Sequence, residues 1–356
     1  MTDRFSRVRR YEVLVHPGVD RLYGSAAGAI MRAEVHAVLG TGDGWTAEAR
    51  DVAVLGGATF VSVESREAID AAGVARVARL SFAAGMFERT DADGLRILPD
   101  AWPVPSLPRS LLTIQRYKGK TNELFTRLLV NLAVSMQRTD LGQRTVRLLD
   151  PVAGRGTTLN AATLDGLDAA GIELNRQDFE QYVAFISRWM QDNRIKHRVE
   201  RSHVRGADGD RCQRVDVYYG ATKAEVEKRR GRTLTFVNGD AADAHLWFGR
   251  NSFEAIVADL PYGVQHVATS GDAARRSPRD LVAALAPNWH QVVRPGGVIV
   301  LAYNTLTMDR DGLADVLLGA GWTPDDLGGM SLVHEVDASI RRDVMIAHRT
   351  GARLDP

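Results

Sequence analysis

The chain has 356 residues, 45% hydrophobic and 25% charged, with a formal net charge of +1. That length accommodates two domains with a substantial core, and the near-neutral balance excludes any case for a polyanionic partner from net charge alone; only local clusters can speak to nucleic acid. The single cysteine, Cys212, excludes an intrachain disulfide and a cysteine-rich metal site, and no metal is expected.

The N-terminal MTDRFSRVRR is basic but leads into no apolar signal core. No stretch approaches the roughly 20 apolar residues of a membrane span. A cytoplasmic protein without membrane contact is expected. Residues 11–15 read as a strand, and 26–39 have helical apolar spacing. Residues 52–55 and 60–63 read as β, while 74–82 fit helix or strand. Together residues 1–105 predict a small α/β domain without a chemical motif, whose function cannot be read directly from these residues.

Pro103, Pro105 and Pro108 mark an extended linker, since proline removes backbone donors and disfavours helix before it. Residues 121–136 then predict a helix, with Thr121 or Asn122 as cap and Leu124, Phe125, Leu128, Leu129, Leu132 and Ala133 as one apolar stripe. From Val146 the rhythm becomes strand, turn, helix, strand: VRLLD, AAGIEL, LTFVNGD, FEAIVADLP and VIVLAYN. That rhythm predicts a doubly wound α/β domain with a parallel sheet over 106–356. A terminal hairpin, with strands near 331–336 and 343–348, is expected to close the sheet edge.

Four motifs carry chemistry. LLDPVAGRGTTL (148–159) ends a buried strand at Asp150, turns through Ala153, Gly154 and Gly156, and opens a helix at Thr157 and Thr158. Glycines admit a ligand close to the backbone, and a helix N-terminus offers N–H groups to an anion, here the carboxylate of a methionine-type cofactor. AAGIELN places Glu173, followed by Leu174 and Asn175, at the end of the next strand, about 20 residues on, where a carboxylate can accept both ribose hydroxyls. Asn238, Gly239, Asp240 and Ala241 close the third strand, with Asp240 available to an adenine amino group. The first two of these motifs, which NAD-dependent dehydrogenases share, narrow the class to a nucleotide-containing cofactor and no further.

The fourth, ADLPYG (258–263), discriminates. An exocyclic base amine delocalises its lone pair into the ring. An Asp side chain and a carbonyl fixed by proline can accept both N–H protons and draw the nitrogen toward sp³ geometry. Asp259, the Leu260 carbonyl and Pro261 supply these groups, and Tyr262 offers a stacking face. Asp259 also borders the cofactor. VVRPGGVIVL (292–301) adds a structural turn into the fifth strand.

DPVAGRGTTL, GIELN, NGDA, DLPYG and RPGG, with RYKGKTNELFTRLLVNLAV (116–134) before them, resemble the Rossmann-like amino methyltransferases. More narrowly they resemble the THUMP-associated tRNA guanine-N2 methyltransferases, over roughly residues 110–350. The resemblance implies S-adenosylmethionine (SAM) as cofactor, contact of Asp259 with the target amine, and stacking on Tyr262. The family's commonest fourth motif is D-P-P-Y, and Leu260 stands at its first proline, although D-L-P-Y and D-L-P-F also occur among the guanine-N2 relatives. By the same resemblance residues 1–105 are expected to be an RNA-binding or reduced THUMP-associated domain.

Arg116, Lys118 and Lys120, with a basic insertion at 194–232 (RIKHR, ERSHVR, VEKRRGR), suit docking of an RNA backbone, tRNA foremost. His266, Arg275 and Arg276 follow the fourth motif in a loop suited to a lid or a substrate clamp. The expected activity is methylation of a nucleobase amino group in RNA, most specifically tRNA guanine N2. The alternatives are a DNA adenine-N6 or cytosine-N4 methyltransferase, a glutamine or small-molecule amine methyltransferase, and a non-catalytic SAM- or RNA-binding module. An NAD-dependent dehydrogenase is more distant.

Overall fold

A computed structural model describes residues 8–40, 45–90, 94–98, 102–103, 105–117, 119–139, 141, 144–261 and 277–350. The chain divides into two compact units, Met1–Val104 with Asp326–Asp343, and Pro105–Asp325 with Val344–Pro356.

In the first unit, β1 (Arg9–Val15), β2 (Glu48–Leu55), β3 (Ala58–Ser65), β4 (Ala83–Arg89) and β5 (Leu95–Ile97) form an antiparallel sheet ordered β2-β3-β1-β4-β5. Gly56 and Gly57, at φ 56° and 82°, make the two-residue turn between β2 and β3, a geometry that needs positive φ at both positions. Helices α1 (Val19–Tyr23), α2 (Ala27–Leu39) and α3 (Ala71–Arg79) complete the α/β unit. The segment 74–82 resolves as the end of α3 and a turn. Asp70 caps the helix by accepting the Gly73 N–H at 2.7 Å, and Val74, Val77 and Ala78 bury one face. Two buried carboxylates are satisfied: Glu34 accepts the Ser81 N–H and hydroxyl, each at 2.7 Å, and Glu12 accepts Arg89 Nε and the Ser62 hydroxyl at 2.7 Å.

The second unit opens with α4 (Ser110–Thr113) and α5 (Glu123–Met136). There follow β6 (Arg147–Asp150), α6 (Thr157–Leu164), β7 (Asp168–Glu173), α7 (Arg176–Asp192), β8 (Lys196–Arg205), β9 (Arg211–Gly220), α8 (Lys223–Glu227) and β10 (Arg232–Asn238). Then come α9 (Ala244–Trp247), β11 (Phe253–Asp259), α10 (Pro278–Val292), β12 (Val293–Asn304), α11 (Arg310–Gly319) and β13 (Trp322–Asp325). The last two strands of the chain are β14 (His334–Asp337) and β15 (Ile340–Arg349).

The sheet runs β13-β15-β12-β11-β6-β7-β10-β9-β8. Its centre, β12-β11-β6-β7-β10, is parallel as expected. The sheet as a whole is mixed, however, because β9 pairs antiparallel with β10, β8 with β9, and β13 with β15. The insertion at 194–232 therefore extends the sheet as a hairpin followed by a short helix. Val215, Val217 and Tyr219 alternate inward on β9, and that period-2 pattern explains why a charge-rich segment folds as strand.

β15 starts within the first unit, where β14 pairs with it antiparallel, and ends in the second. The returning segment is well seated in the first unit. His334 packs edge-on against Tyr23 with ring centroids 5.0 Å apart, and both residues are buried.

Candidate active site

Strand order makes the site. The chain passes from β6 outward through β7 to β10, then returns to lay β11 and β12 on the opposite side of β6. In open α/β sheets a crevice lies beyond the strand ends where the winding reverses, and ligands bind there. Asp150 ends β6 and Asp259 ends β11, so the two carboxylates flank that reversal.

The turn after β6 is built tightly. The Ala153 N–H donates to the Ile172 carbonyl at 2.9 Å, and Gly154 and Gly156 take φ of 51° and 75°. The two glycines serve different ends. A Cβ on Gly156 would come within 2.2 Å of the Tyr182 ring, whereas no described atom lies within 4 Å of a Cβ on Gly154. Gly156 is thus required by packing, while Gly154 faces an open cradle. Thr157 and Thr158, in the first turn of α6, are buried.

Asp150 accepts the Val152 N–H at 3.0 Å. Burial pushes its carboxyl up to about 7, with the nearby charges of Asp259 and Glu173 adding to the rise; hydrogen bonds from the Thr158 hydroxyl and the Val152 amide oppose it. Glu173 is fixed by two amides, Gly154 N–H to Oε2 at 2.8 Å and Asn175 N–H to Oε1 at 2.6 Å. The Asn175 side chain caps α7, accepting from Gln177 at 2.8 Å and Asp178 at 3.2 Å. Leu174 beside them is 40% exposed.

The end of β10 is tied to β7. Asn238 Nδ2 donates to the carbonyls of Glu173 and Leu174 at 2.8 and 3.1 Å, and the Gly239 N–H donates to Glu173 at 3.0 Å. Gly239 is a glycine because of Trp247, which lies 2.4 Å from where its Cβ would stand. Asp240 is exposed and accepts the Ala242 N–H at 2.9 Å, whereas the Ala241 side chain lies in the core.

At the end of β11, Asp259 pairs in register with Ala302 of β12, and the Leu260 N–H donates to the Ala302 carbonyl at 2.9 Å. A proline at 260 could not make that bond. The Leu260 side chain is buried in the core, and Pro261 is half-buried. Tyr262, His266, Arg275 and Arg276 lie outside the described residues, as does Lys118.

Three further groups belong to this end of the sheet. The Thr121 hydroxyl lies 2.5 Å from Asp259 Oδ2. The Tyr117 hydroxyl lies 2.8 Å from Thr157 Oγ1, and the Arg155 guanidinium stacks over the Tyr117 ring at 4.9 Å while donating to Asp178 at 2.7 Å. Sequence reasoning saw Tyr117 only as part of a basic patch and Thr121 only as a possible helix cap. Asn122 performs that capping, accepting the Leu124 N–H at 2.9 Å. Lys120 departs from its expected docking role: its ammonium donates to the Leu112 and Gln115 carbonyls at 2.7 and 2.9 Å and to Glu123 at 2.5 Å.

The sequence profile of the RMKL-like methyltransferase domain (UPF0020) matches residues 122–312, more than half of the chain. The chain belongs to that family. The RMKL-like domain and the strand order make this a Rossmann-like methyltransferase of the class that uses SAM. No curated protein matches the chain significantly.

Solved structures similar to it include PH1948 of Pyrococcus horikoshii, a candidate RNA methyltransferase, at TM-score 0.39 and 11% identity over 70% of this chain and 91% of that one. The 1,6-didemethyltoxoflavin-N1-methyltransferase of Burkholderia thailandensis matches at TM-score 0.36 and 16% identity, over 58% and 72% of the two chains. A methyltransferase of Pyrococcus furiosus matches at TM-score 0.36 and 13% identity, over 66% and 88%. Among the described residues no helix is long and apolar enough to cross a membrane, and no cluster of three His, Cys, Asp or Glu side chains is arranged to hold a metal ion.

Proposed function

We propose that this RMKL-like domain methylates an exocyclic amino nitrogen of a nucleobase in RNA, with guanine N2 of tRNA as the target. One observation carries the reading: Asp259 ends β11 at the winding reversal, with Leu260 and Pro261 directly after it, and on the other side Asp150 ends β6 just before the glycine turn.

The residues present fit SAM, which supplies an electrophilic methyl group on a sulfonium. The open cradle at Gly154 admits its methionine portion, and Asp150 and Asp259 provide negative charge toward a cation. Glu173, oriented by its two amides, retains acceptor capacity for ribose hydroxyls because a carboxylate offers about four acceptor positions. Leu174 presents an apolar face to adenine, and exposed Asp240 accepts from its amino group. Ala153, Gly156, Thr157, Thr158, Asn175, Gly239 and Ala241 shape this pocket; Asn175 and Ala241 do so through the backbone.

At the acceptor, Asp259 and the Leu260 carbonyl take the two amine N–H bonds and free the nitrogen lone pair. With SAM bound, the methyl group would pass to that lone pair while the sulfonium is released as a neutral thioether, and the methylated nitrogen would give its extra proton to solvent. Catalysis here is orientation and electrostatics. Tyr262 stacks the base, worth about 1–3 kcal/mol. The basic docking set is Arg116, Lys118 and the hairpin of β8 and β9, where Lys196, Arg198, Arg205 and Arg211 are exposed and suited to phosphates.

The test is mass spectrometry of nucleosides from tRNA, rRNA and DNA of cells with and without the gene. Loss of N2-methylguanosine from tRNA is the expected result. Loss of N6-methyladenine or N4-methylcytosine from DNA would move the enzyme to the DNA class, and no change in any nucleoside would overturn the reading.

A further inference from the structure

We infer that Thr121 is a positioning residue for the Asp259 carboxylate, and that the segment before α5 exists in part to hold it there. The inference rests on the reading of Asp259 as the acceptor of the target amine.

Thr121 and Asp259 are 138 positions apart in sequence, yet the hydroxyl stands 2.5 Å from Oδ2. Nothing local demands this contact. Asn122 already caps α5 through its side chain, and its carbonyl accepts both the Thr126 N–H and hydroxyl at 2.9 and 3.1 Å. The hydroxyl of Thr121 is thereby left out of the helix start.

The segment carrying it is anchored on two sides. Lys120 grips the carbonyls of Leu112 and Gln115 and the carboxylate of Glu123, which fixes the backbone immediately before Thr121. Tyr117 is tied to Thr157 in the first turn of α6 and lies beneath Arg155 of the glycine turn. Asp259 is equally constrained from its own side, by the β11–β12 ladder and by the Leu260 N–H on Ala302. Two independently fixed backbones thus bring one hydroxyl and one carboxylate together.

A carboxylate on a fixed Cα still rotates about its Cβ–Cγ bond. A hydroxyl donated to one oxygen selects one orientation and leaves acceptor capacity on the group for an amine. An amine nitrogen must be aimed within a narrow cone for in-line attack, so this rotation matters most in the transition state and least in binding.

The experiment compares wild type with Thr121→Val, Thr121→Ser and Asp259→Ala. It uses tritiated-methyl SAM and bulk tRNA from cells lacking the gene, with rRNA and genomic DNA alongside. SAM affinity and thermal melting are measured on each variant. Thr121→Val keeps the shape and removes the donor; it is expected to lower kcat roughly 10- to 100-fold, with KM for RNA and Kd for SAM within about threefold of wild type. Thr121→Ser restores the hydroxyl and is expected to recover most of kcat.

Wild-type kcat in Thr121→Val, alongside an inactive Asp259→Ala, would overturn the role of Thr121 and leave the amino-methyltransferase reading standing. Equal impairment of the Val and Ser variants would also overturn it, since a purely structural contact predicts no rescue. Full activity in Asp259→Ala, or no wild-type turnover on any of the three nucleic acids, would overturn the reading and the Thr121 role together.

Discussion

The Tyr182 ring lies directly under Gly156, so close that a Cβ at that glycine would stand 2.2 Å from it. Tyr182 is itself held, donating its hydroxyl to Asn160 at 3.1 Å inside the core. The turn proposed to receive the cofactor is therefore seated on a ring that cannot retreat without disturbing α6.

The two glycines of the turn should respond differently to alanine. Gly156→Ala incurs about 1–2 kcal/mol for left-handed backbone and about 1–3 kcal/mol for displacing the ring. It should lower the melting temperature by several degrees and abolish SAM binding. Gly154→Ala bears only the backbone cost, because its Cβ meets no described atom, yet that Cβ fills the cradle. Calorimetric titration with SAM should show at least a tenfold weaker Kd at a stability only about 1–2 kcal/mol below wild type, and unchanged affinity in Gly154→Ala would remove the cradle.

SAM binding should depend on pH through Asp150. Its carboxyl is raised to about 7, so in the free protein it is largely protonated below that pH and ionised above it. A cationic ligand favours the ionised form, so binding expels a proton below about pH 7, and affinity should climb from pH 6 to 8 and then level off. Titrations at pH 6.5 in two buffers of different ionisation enthalpy would count the proton. Asp150→Asn should flatten the profile. The same shift implies that wild-type stability falls between the ordinary carboxylate range and about pH 7, so the Asn variant should gain on wild type at pH 8 relative to pH 4.

Glu173→Gln tests the ribose contact. The carboxylate holds one amide on each oxygen, whereas a carboxamide has a single acceptor oxygen, so either Gly154 or Asn175 loses its partner. That loss, at about 1–3 kcal/mol, adds to the loss of charge at the ribose. A rise in Kd for SAM of roughly 10- to 100-fold is expected by titration, and a Kd within twofold of wild type would reject the assignment.

Leu260→Pro would install the residue commonest at this place in the amino methyltransferases that the fourth motif resembles. Here it removes the N–H bonded to Ala302 and leaves a void where a buried side chain was. A loss of about 2–4 kcal/mol in chemical denaturation is expected. The carbonyl remains in the chain, so kcat per folded molecule should stay within about tenfold. A variant as stable as wild type would show that the β11–β12 bond contributes little.

Much of the second unit was legible because its signals are local. An apolar strand followed by Gly154 and Gly156 announces a turn and a helix start, and α6 begins at Thr157. The core strands are short, largely apolar segments, such as Val298–Leu301 of β12 and Ala255–Ala258 of β11, that read as buried parallel sheet. The insertion was harder: lysines and arginines mask the inward alternation of Val215, Val217 and Tyr219, so its charge was visible and its strands were not. Long-range partners left no trace at all. Nothing in RYKGKT distinguishes Lys120, bound to three oxygens, from a solvent-facing lysine, or hints that Thr121 answers to a residue 138 positions away.

The passage of β15 from one unit into the other bears on how the chain is made. The N-terminal unit includes Asp326–Asp343, whose His334 is buried against Tyr23. During synthesis that unit waits, residues 1–104 made but incomplete, until residues 105–325 and then Asp326–Asp343 have left the ribosome. The two units are thus completed one after the other within a single strand, the first at Asp343 and the second by the remainder of β15.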